Sequence, residues 1–113
     1  MLNQIVLVGR LVKDIEVKEV NENKKAIISL AVPSNFKNED GEYETDFIDC
    51  ILWNGIASNI AEYCKKGDIA GVKGRIKTDN IVNDDGEIIG KTTLVIAEKV
   101  TFLSSKKEEK ENK

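Results

Sequence analysis

The sequence has no histidine, only two cysteines and only one proline among its 113 residues. Without histidine, any catalysis would depend on carboxylates, Lys, Tyr or Cys as proton carriers. Cys50 and Cys64 are too far apart to form a CxxC motif, and a zinc site without histidine is not expected. The two cysteines are better interpreted as small buried residues in a reducing compartment.

Motifs of enzymes and targeting segments are also missing. The segment GVKG at residues 71–74 lacks phosphate-loop spacing, and the acid pairs Glu39-Asp40 and Asp84-Asp85 each precede a glycine, which is typical of turns. The N-terminus does not resemble a signal peptide, and no apolar run is long enough to span a membrane. We therefore expect a cytoplasmic binding protein rather than an enzyme, with no metal and no cofactor.

The net charge of −3 does not by itself favour a nucleic-acid partner. Residues 1–103 carry 13 basic and 17 acidic side chains. A polyanion would therefore bind only if the basic residues were gathered on one face.

Hydrophobic patterning predicts a β protein of one domain, residues 1–103, followed by a short polar and disordered tail at 104–113. Five strands are predicted, and the first is interrupted near Lys13-Asp14. The second covers residues 26–32, where Pro33 should end the regular pairing or lie at an edge, and a polar loop follows at 34–43. Asn54 is the predicted N-cap of a single helix, and Lys65-Lys66-Gly67 the basic last turn and C-cap.

Five strands with a helix between the third and fourth are typical of the OB-fold, a small Greek-key barrel. Glycines within the first and fourth strands, including Gly9 and Gly74, suit the sharp coiling of such a barrel. Another small β-sandwich is the alternative that the pattern leaves open.

The third strand separates into two faces by residue parity. Ile48, Cys50 and Leu52 suit an interior. The opposite face carries Phe47 and Trp53 together with polar side chains, which core packing does not explain. Exposed rings of this kind can stack on any base, with about 1–3 kcal/mol per base.

The fourth strand has a matching feature, because Lys73, Arg75 and Lys77 share one parity. A stripe of cations at this period suits a groove that follows a phosphate backbone, and an ordinary solvated face is the simpler alternative. The basic residues that extend this candidate patch are Arg10, Lys37, Lys65, Lys66 and Lys91.

Three segments resemble bacterial single-stranded DNA-binding proteins: MLNQIVLVGRLVKDIEV, FKNEDGEYETDFIDCILW and YCKKGDIAGVKGRIKT. They cover the family's opening strand, its most specific segment, and its helix end with the fourth strand. The resemblance implies an OB-fold that assembles as a homotetramer and wraps single-stranded DNA without sequence specificity. Such proteins act during replication, recombination and repair.

The resemblance also implies particular site residues. The family's stacking aromatics fall on Phe36, Phe47 and Trp53, and Tyr43 is open to either packing or contact. Basic character is kept at Lys37, Lys65, Lys66 and Lys77.

This chain departs from the family at several positions. Ile81 stands where a fourth stacking aromatic is usual, and Asp79, Asn80 and Asp49 are expected to weaken the affinity for DNA. The chain ends at KKEEKENK rather than at an acidic, Phe-terminated tip, so recruitment of replication and repair enzymes is not supported.

Two further functions compete with DNA binding. One is a protein-interaction OB module of a replication-restart (primosome) complex with weak DNA affinity, which the acidic balance, Ile81 and Asp79 favour. The other is an RNA-binding or tRNA-binding OB domain.

Overall fold

The computed structural model describes residues 1–104, so the predicted disorder of the tail falls outside the described residues apart from Ser104. Ser104 itself is the last residue of a strand. The elements are β1 (Ile5–Leu11), β2 (Val17–Val20), β3 (Asn23–Lys37), β4 (Tyr43–Trp53), α1 (Asn54–Tyr63), β5 (Ile69–Val82) and β6 (Ile88–Ser104). β1 and β2 together correspond to the interrupted first strand of the prediction.

The strands close into a barrel in the order β1-β5-β6-β4-β3, and β3 returns to β1 through the pairs Arg10–Ala31 and Leu11–Leu30. β2 extends the sheet along β3. The β4–β6 pair is parallel and the others are antiparallel. With α1 between the third and fourth barrel strands, the arrangement confirms the predicted OB-fold.

The core follows from strict alternation along the barrel strands. Ala26, Ile28 and Leu30 of β3 face inward and are buried, as are Cys50 and Leu52 of β4. Ala57 and Ile60 of α1 join this cluster, so one apolar side of the helix packs against the barrel.

Gly74 marks the closest approach of two strands. A Cβ at this position would overlap the carbonyl oxygen of Ile96 on β6, and the register of β5 and β6 shifts between Lys73 and Gly74. The predicted need for glycine in this strand is confirmed, because only a residue without a side chain fits there.

Two helix boundaries were predicted wrongly. Asn54 is the first residue of α1 rather than its N-cap, and its Oδ1 accepts a hydrogen bond from the Lys24 N–H at 3.1 Å. The helix ends at Tyr63, before the Lys65-Lys66-Gly67 segment. Gly67 lies in a separate turn with φ of 95°, where the Asp68 N–H donates to the Lys65 carbonyl.

The strands also run further than predicted. β3 continues through Pro33 to Lys37, with a register shift between these two residues, so the polar loop is shorter than 34–43. Hairpin arms that project beyond the barrel are solvated on both sides, and their sequences therefore lack the apolar alternation that identifies a strand. Within residues 1–104, no helix is long and apolar enough to cross a lipid bilayer.

Candidate functional site

The outer side of the β3–β4 hairpin carries three of the predicted site residues, Lys37, Phe47 and Trp53. Directly paired residues of an antiparallel ladder place their side chains on the same side. The outward pairs are Tyr43–Lys37, Thr45–Pro33, Phe47–Ala31, Asp49–Ser29, Ile51–Ile27 and Trp53–Lys25. We call these twelve residues the β3–β4 face.

The aromatic side chains of this hairpin differ in exposure, and Phe47 is open to solvent as the parity of β4 predicted. Phe47 is 69% exposed and Phe36, near the end of β3, is 81% exposed. Trp53 is half-buried. Phe47 and Trp53 are six positions apart, which is about 20 Å along an extended strand. The two rings therefore suit different bases of one extended single strand.

Tyr43, for which the sequence left packing and contact open, is 61% exposed and lies on the β3–β4 face. The Lys37 Nζ is 5.5 Å from the centroid of its ring. This end of the hairpin therefore offers a ring and a cation side by side.

Ile51 belongs to the outward side of β4 but is only 9% exposed, unlike Phe47 on the same side. It pairs with Ile96 of β6, and Ile96 pairs in turn with Arg75 of β5. This row of side chains crosses from the β3–β4 face to β5. The cations of β5 therefore lie on the same outer side of the barrel as the aromatic side chains.

The predicted cation stripe of β5 is exposed, but two of its members have acidic neighbours. The Lys77 Nζ is 3.6 Å from Asp79, and the Arg75 Nε is 4.0 Å from Glu98. The side chains of both pairs are about half exposed. Exposed pairs contribute little, at roughly 0–1 kcal/mol, so a phosphate can compete for either cation.

Arg10 has a structural contact as well as a place near the site. It pairs with Ala31, which pairs with Phe47, so all three lie in one row. Its Nη1 donates to the Gly67 carbonyl at 2.6 Å, which ties β1 to the turn after α1. Contact with DNA would have to share or replace this bond.

Lys65 and Lys66 lie in that same turn rather than on the β3–β4 face. The Lys65 N–H donates to Asp68, and the Lys66 N–H donates to Asp14 in the β1–β2 connection. Both side chains are exposed. Their backbone is held in place, and their ammonium groups extend the basic surface at the end of the barrel next to β1.

The charge pattern of the sequence did not predict two further lysines of this surface, Lys18 and Lys25. They pair across β2 and β3, and the Lys25 Nζ lies 5.5 Å from the ring centroid of Trp53. The signal was the two-residue turn at Asn21 and Glu22, which both have positive φ. Such a turn fixes the register of a hairpin and hence this pairing.

The β5–β6 arm carries the aliphatic position that departs from the family. Ile81 is 43% exposed and pairs with Gly90. The turn at the tip of the arm is held by Asn83, whose Oδ1 accepts the N–H groups of Asp85 and Glu87. Ile81 therefore presents an apolar surface on an ordered arm.

The two thiols are held in the protonated form. Burial, followed by the nearby Asp49 carboxylate, raises the pKa of Cys50 to about 11. Burial and then Asp68 also raise the pKa of Cys64. Neither cysteine has the activated thiolate of a nucleophile.

Comparison with known proteins places this geometry in a family. The model of the single-strand binding protein family matches residues 2–103. Single-stranded DNA-binding protein 3 of Streptococcus agalactiae is 47% identical over 107 residues, covering 94% of this chain and 77% of that protein.

Two proteins of Bacillus subtilis show how much of each relative is covered. Single-stranded DNA-binding protein A is 47% identical and this chain spans 62% of its length, whereas protein B is 42% identical and this chain spans 97%. Among solved structures, a deletion mutant of the single-stranded DNA binding protein from Thermus aquaticus matches with a TM-score of 0.75 at 21% identity. The match covers 93% of this chain and 52% of that one, and at this identity it supports the fold alone.

Proposed function

The chain belongs to the single-strand binding protein family, and we propose from this premise that it binds and protects single-stranded DNA with little sequence preference. The observation that carries the proposal is a set of three rings along one hairpin, of which Phe36 and Phe47 are exposed and Trp53 is half-buried. Every base has a π-face, so stacking on these rings tolerates any sequence. The role is the coating of exposed strands during replication, recombination and repair.

The phosphate backbone is neutralised by cations beside these rings. Lys37 and Lys77 lie on the same outer side of the barrel as the aromatics, and Lys65, Lys66 and Arg10 extend the basic surface at one end. Lys18 and Lys25 add to the predicted set. Each contacted phosphate releases counterions, so the affinity falls as salt is added.

Fluorescence of Trp53 provides the direct test, because it is the only tryptophan. Titration with oligo(dT) at low salt is expected to quench its emission as a base stacks on the indole. A folded protein whose emission is unchanged, and which retains no oligonucleotide on a filter, would refute the proposal. A parallel titration with oligo(U) distinguishes DNA from RNA as the preferred ligand.

The protein-interaction module of a replication-restart complex is not favoured. The relatives are named for single-stranded DNA binding, and one of them is matched over 97% of its length. The open rings also suit a stacking ligand better than an unused surface. We expect the protein to bind DNA without catalysing a reaction. Its expected location is the cytoplasm, at the nucleoid.

Self-association to a homotetramer is part of the proposal. β1 pairs with β3 only through Arg10 and Leu11, so over residues 5–9 one edge of β1 is open within the described part of the chain. Val6 and Val8 on its outer side are 65% and 51% exposed. An open apolar strand is a template for pairing with a second copy. Sedimentation that shows a stable monomer at micromolar concentration would refute self-association.

A further inference from the structure

Asp49 is the one acid among the outward residues of β4, and it lies between Phe47 and Trp53. A polyanion should be repelled at this position, so its presence in the centre of the face calls for a specific role. The Ser29 hydroxyl donates to its Oδ1 at 2.5 Å, and Ser29 itself is only 9% exposed. A nearly buried hydroxyl therefore sets the orientation of an exposed carboxylate.

The carboxylate lines a depression of about 450 Å³ between β2 and β4. Val20 and Ile27 provide apolar surface, and Lys18 and Lys25 provide cations. Lys13, Asp14 and Glu16 complete the lining. The volume is within the roughly 300–1,000 Å³ of sites that hold small organic groups. Apolar walls for a ring, cations for its phosphates and one oriented acceptor are the components of a base subsite.

The chemistry of a carboxylate discriminates between bases. An ionised carboxylate only accepts hydrogen bonds. Cytosine, adenine and guanine each carry an exocyclic amino group that donates, and acceptance from the cytosine N4 by Asp or Glu is an established pairing. Thymine and uracil instead carry a carbonyl oxygen at position 4. Their one ring donor, N3–H, lies between two carbonyl oxygens, so a carboxylate that approaches it is also repelled by these oxygens. The same depression therefore holds one class of base better than the other.

We propose that Asp49, oriented by Ser29, makes this depression a base-reading subsite that favours bases with an exocyclic amino group over thymine and uracil. The inference rests on the proposed binding of single-stranded DNA and adds one selective position to an otherwise sequence-tolerant path. Phe36, Phe47 and Trp53 stack on any base, whereas Asp49 reads the edge of one. Asp49 is thus a specificity-determining residue and not merely an unfavourable charge.

The test compares oligo(dC) with oligo(dU) of equal length, because these differ in the base edge and not in ring size. Dissociation constants are measured for the full chain and for Asp49→Asn. An amide both donates and accepts, so the variant tolerates either base edge. We expect the ratio of the oligo(dU) to the oligo(dC) dissociation constant to fall by roughly fivefold in the variant, as for the loss of one typical hydrogen bond.

Asp46→Asn is the matched control. Asp46 is an exposed acid of the same strand on the opposite side of the hairpin, so the variant removes the same charge without touching the depression. It should change both affinities in the same proportion. Ser29→Ala keeps the charge of Asp49 but releases its orientation, and we expect the ratio to fall in this variant with no change in salt dependence.

The outcomes separate the inference from the proposed function. If Asp49→Asn changes both affinities by the same factor as Asp46→Asn does, Asp49 acts only as a charge and the inference is wrong while DNA binding stands. If the unaltered protein retains neither oligonucleotide, the inference and the proposed function are both wrong. A ratio that falls for Asp49→Asn alone among the two acid variants supports the subsite.

Discussion

Lys25 lies over the indole of Trp53, with its Nζ 5.5 Å from the ring centroid. The two residues pair directly across β3 and β4, so the contact is set by the register of the hairpin. In the free protein the ammonium covers one side of the tryptophan ring. A base that stacks there must displace the ammonium, which then lies close to the phosphates of the same nucleotide.

Lys25→Met should therefore reduce the salt dependence of DNA binding. The loss of one phosphate contact lowers the magnitude of the slope of log K against log salt by about 0.7 for a single strand. Binding isotherms at several salt concentrations measure this slope. Lys24→Met is the matched control, because Lys24 is the neighbouring exposed lysine on the opposite side of β3; an equal effect in both variants would contradict a specific role for Lys25.

Phe47→Ala should weaken oligo(dT) binding by about 1–3 kcal/mol, the usual range for one stacked base. The side chain is exposed, so the fold should tolerate the change. Tyr63→Ala on α1 removes an equally exposed ring, also 69% accessible, away from the β3–β4 face. The proposed site is wrong if both variants lose the same affinity.

Ile81→Trp should strengthen binding, because it introduces a π-face at the position where the family usually has an aromatic residue. The gain should not exceed about 1–3 kcal/mol. Val82→Trp provides the comparison, since Val82 is the next residue of β5, similarly exposed and on the other side of the arm. Equal affinities for the two variants would show that this side of the arm does not contact DNA.

Both cysteines should be unreactive toward a thiol reagent at pH 8 until the protein is unfolded. The pKa of Cys50 is raised from its ordinary value of 9.0 to about 11 in the folded protein, so the thiol stays protonated at pH 8. The raised pKa contributes stability that is fully present below pH 9. That stability is lost between pH 9 and 11, because the unfolded chain releases the proton first.

Thermal unfolding from pH 8 to 11 measures this loss. Cys50→Ala leaves a cavity and lowers the melting temperature at every pH, but its decline above pH 9 should be shallower than that of the unaltered protein. If the melting temperatures of the variant and the unaltered protein fell in parallel above pH 9, the Cys50 thiol would have the same pKa in the folded and unfolded states.

Gly74→Ala should destabilise the barrel by about 1–3 kcal/mol, as overpacking of a closed core does. The added methyl group would overlap the Ile96 carbonyl, and backbone atoms must move to admit it. Gly55→Ala on α1 meets open space and should be neutral or stabilising by up to about 1 kcal/mol. Urea unfolding measures the free energy of unfolding of both variants. Equal values for Gly74→Ala and Gly55→Ala would contradict the close approach of β5 and β6.

Residue parity alone predicted the outward side of β4. Phe47 and Trp53 alternate with Cys50 and Leu52 in a strand whose other side had to fill a barrel, so the side of each ring followed from a period of two. The element order and the glycines favoured a barrel over a β-sandwich, and the closed strand order confirms the barrel. Alternation is a local property, and a sequence displays it directly.

Neighbours across strands depend on register, which is not local. Four contacts of this structure join residues that are distant in the chain. They are the contact of Lys25 with Trp53, the pairing of Ile51 with β6, the hydrogen bond from Ser29 to Asp49 and the hydrogen bond from Arg10 to Gly67. The sequence by itself determined which side of each strand a side chain occupies, because the backbone alternates. Only the tertiary structure decided which side chains share a surface, because closing the barrel selects one register for every pair of strands.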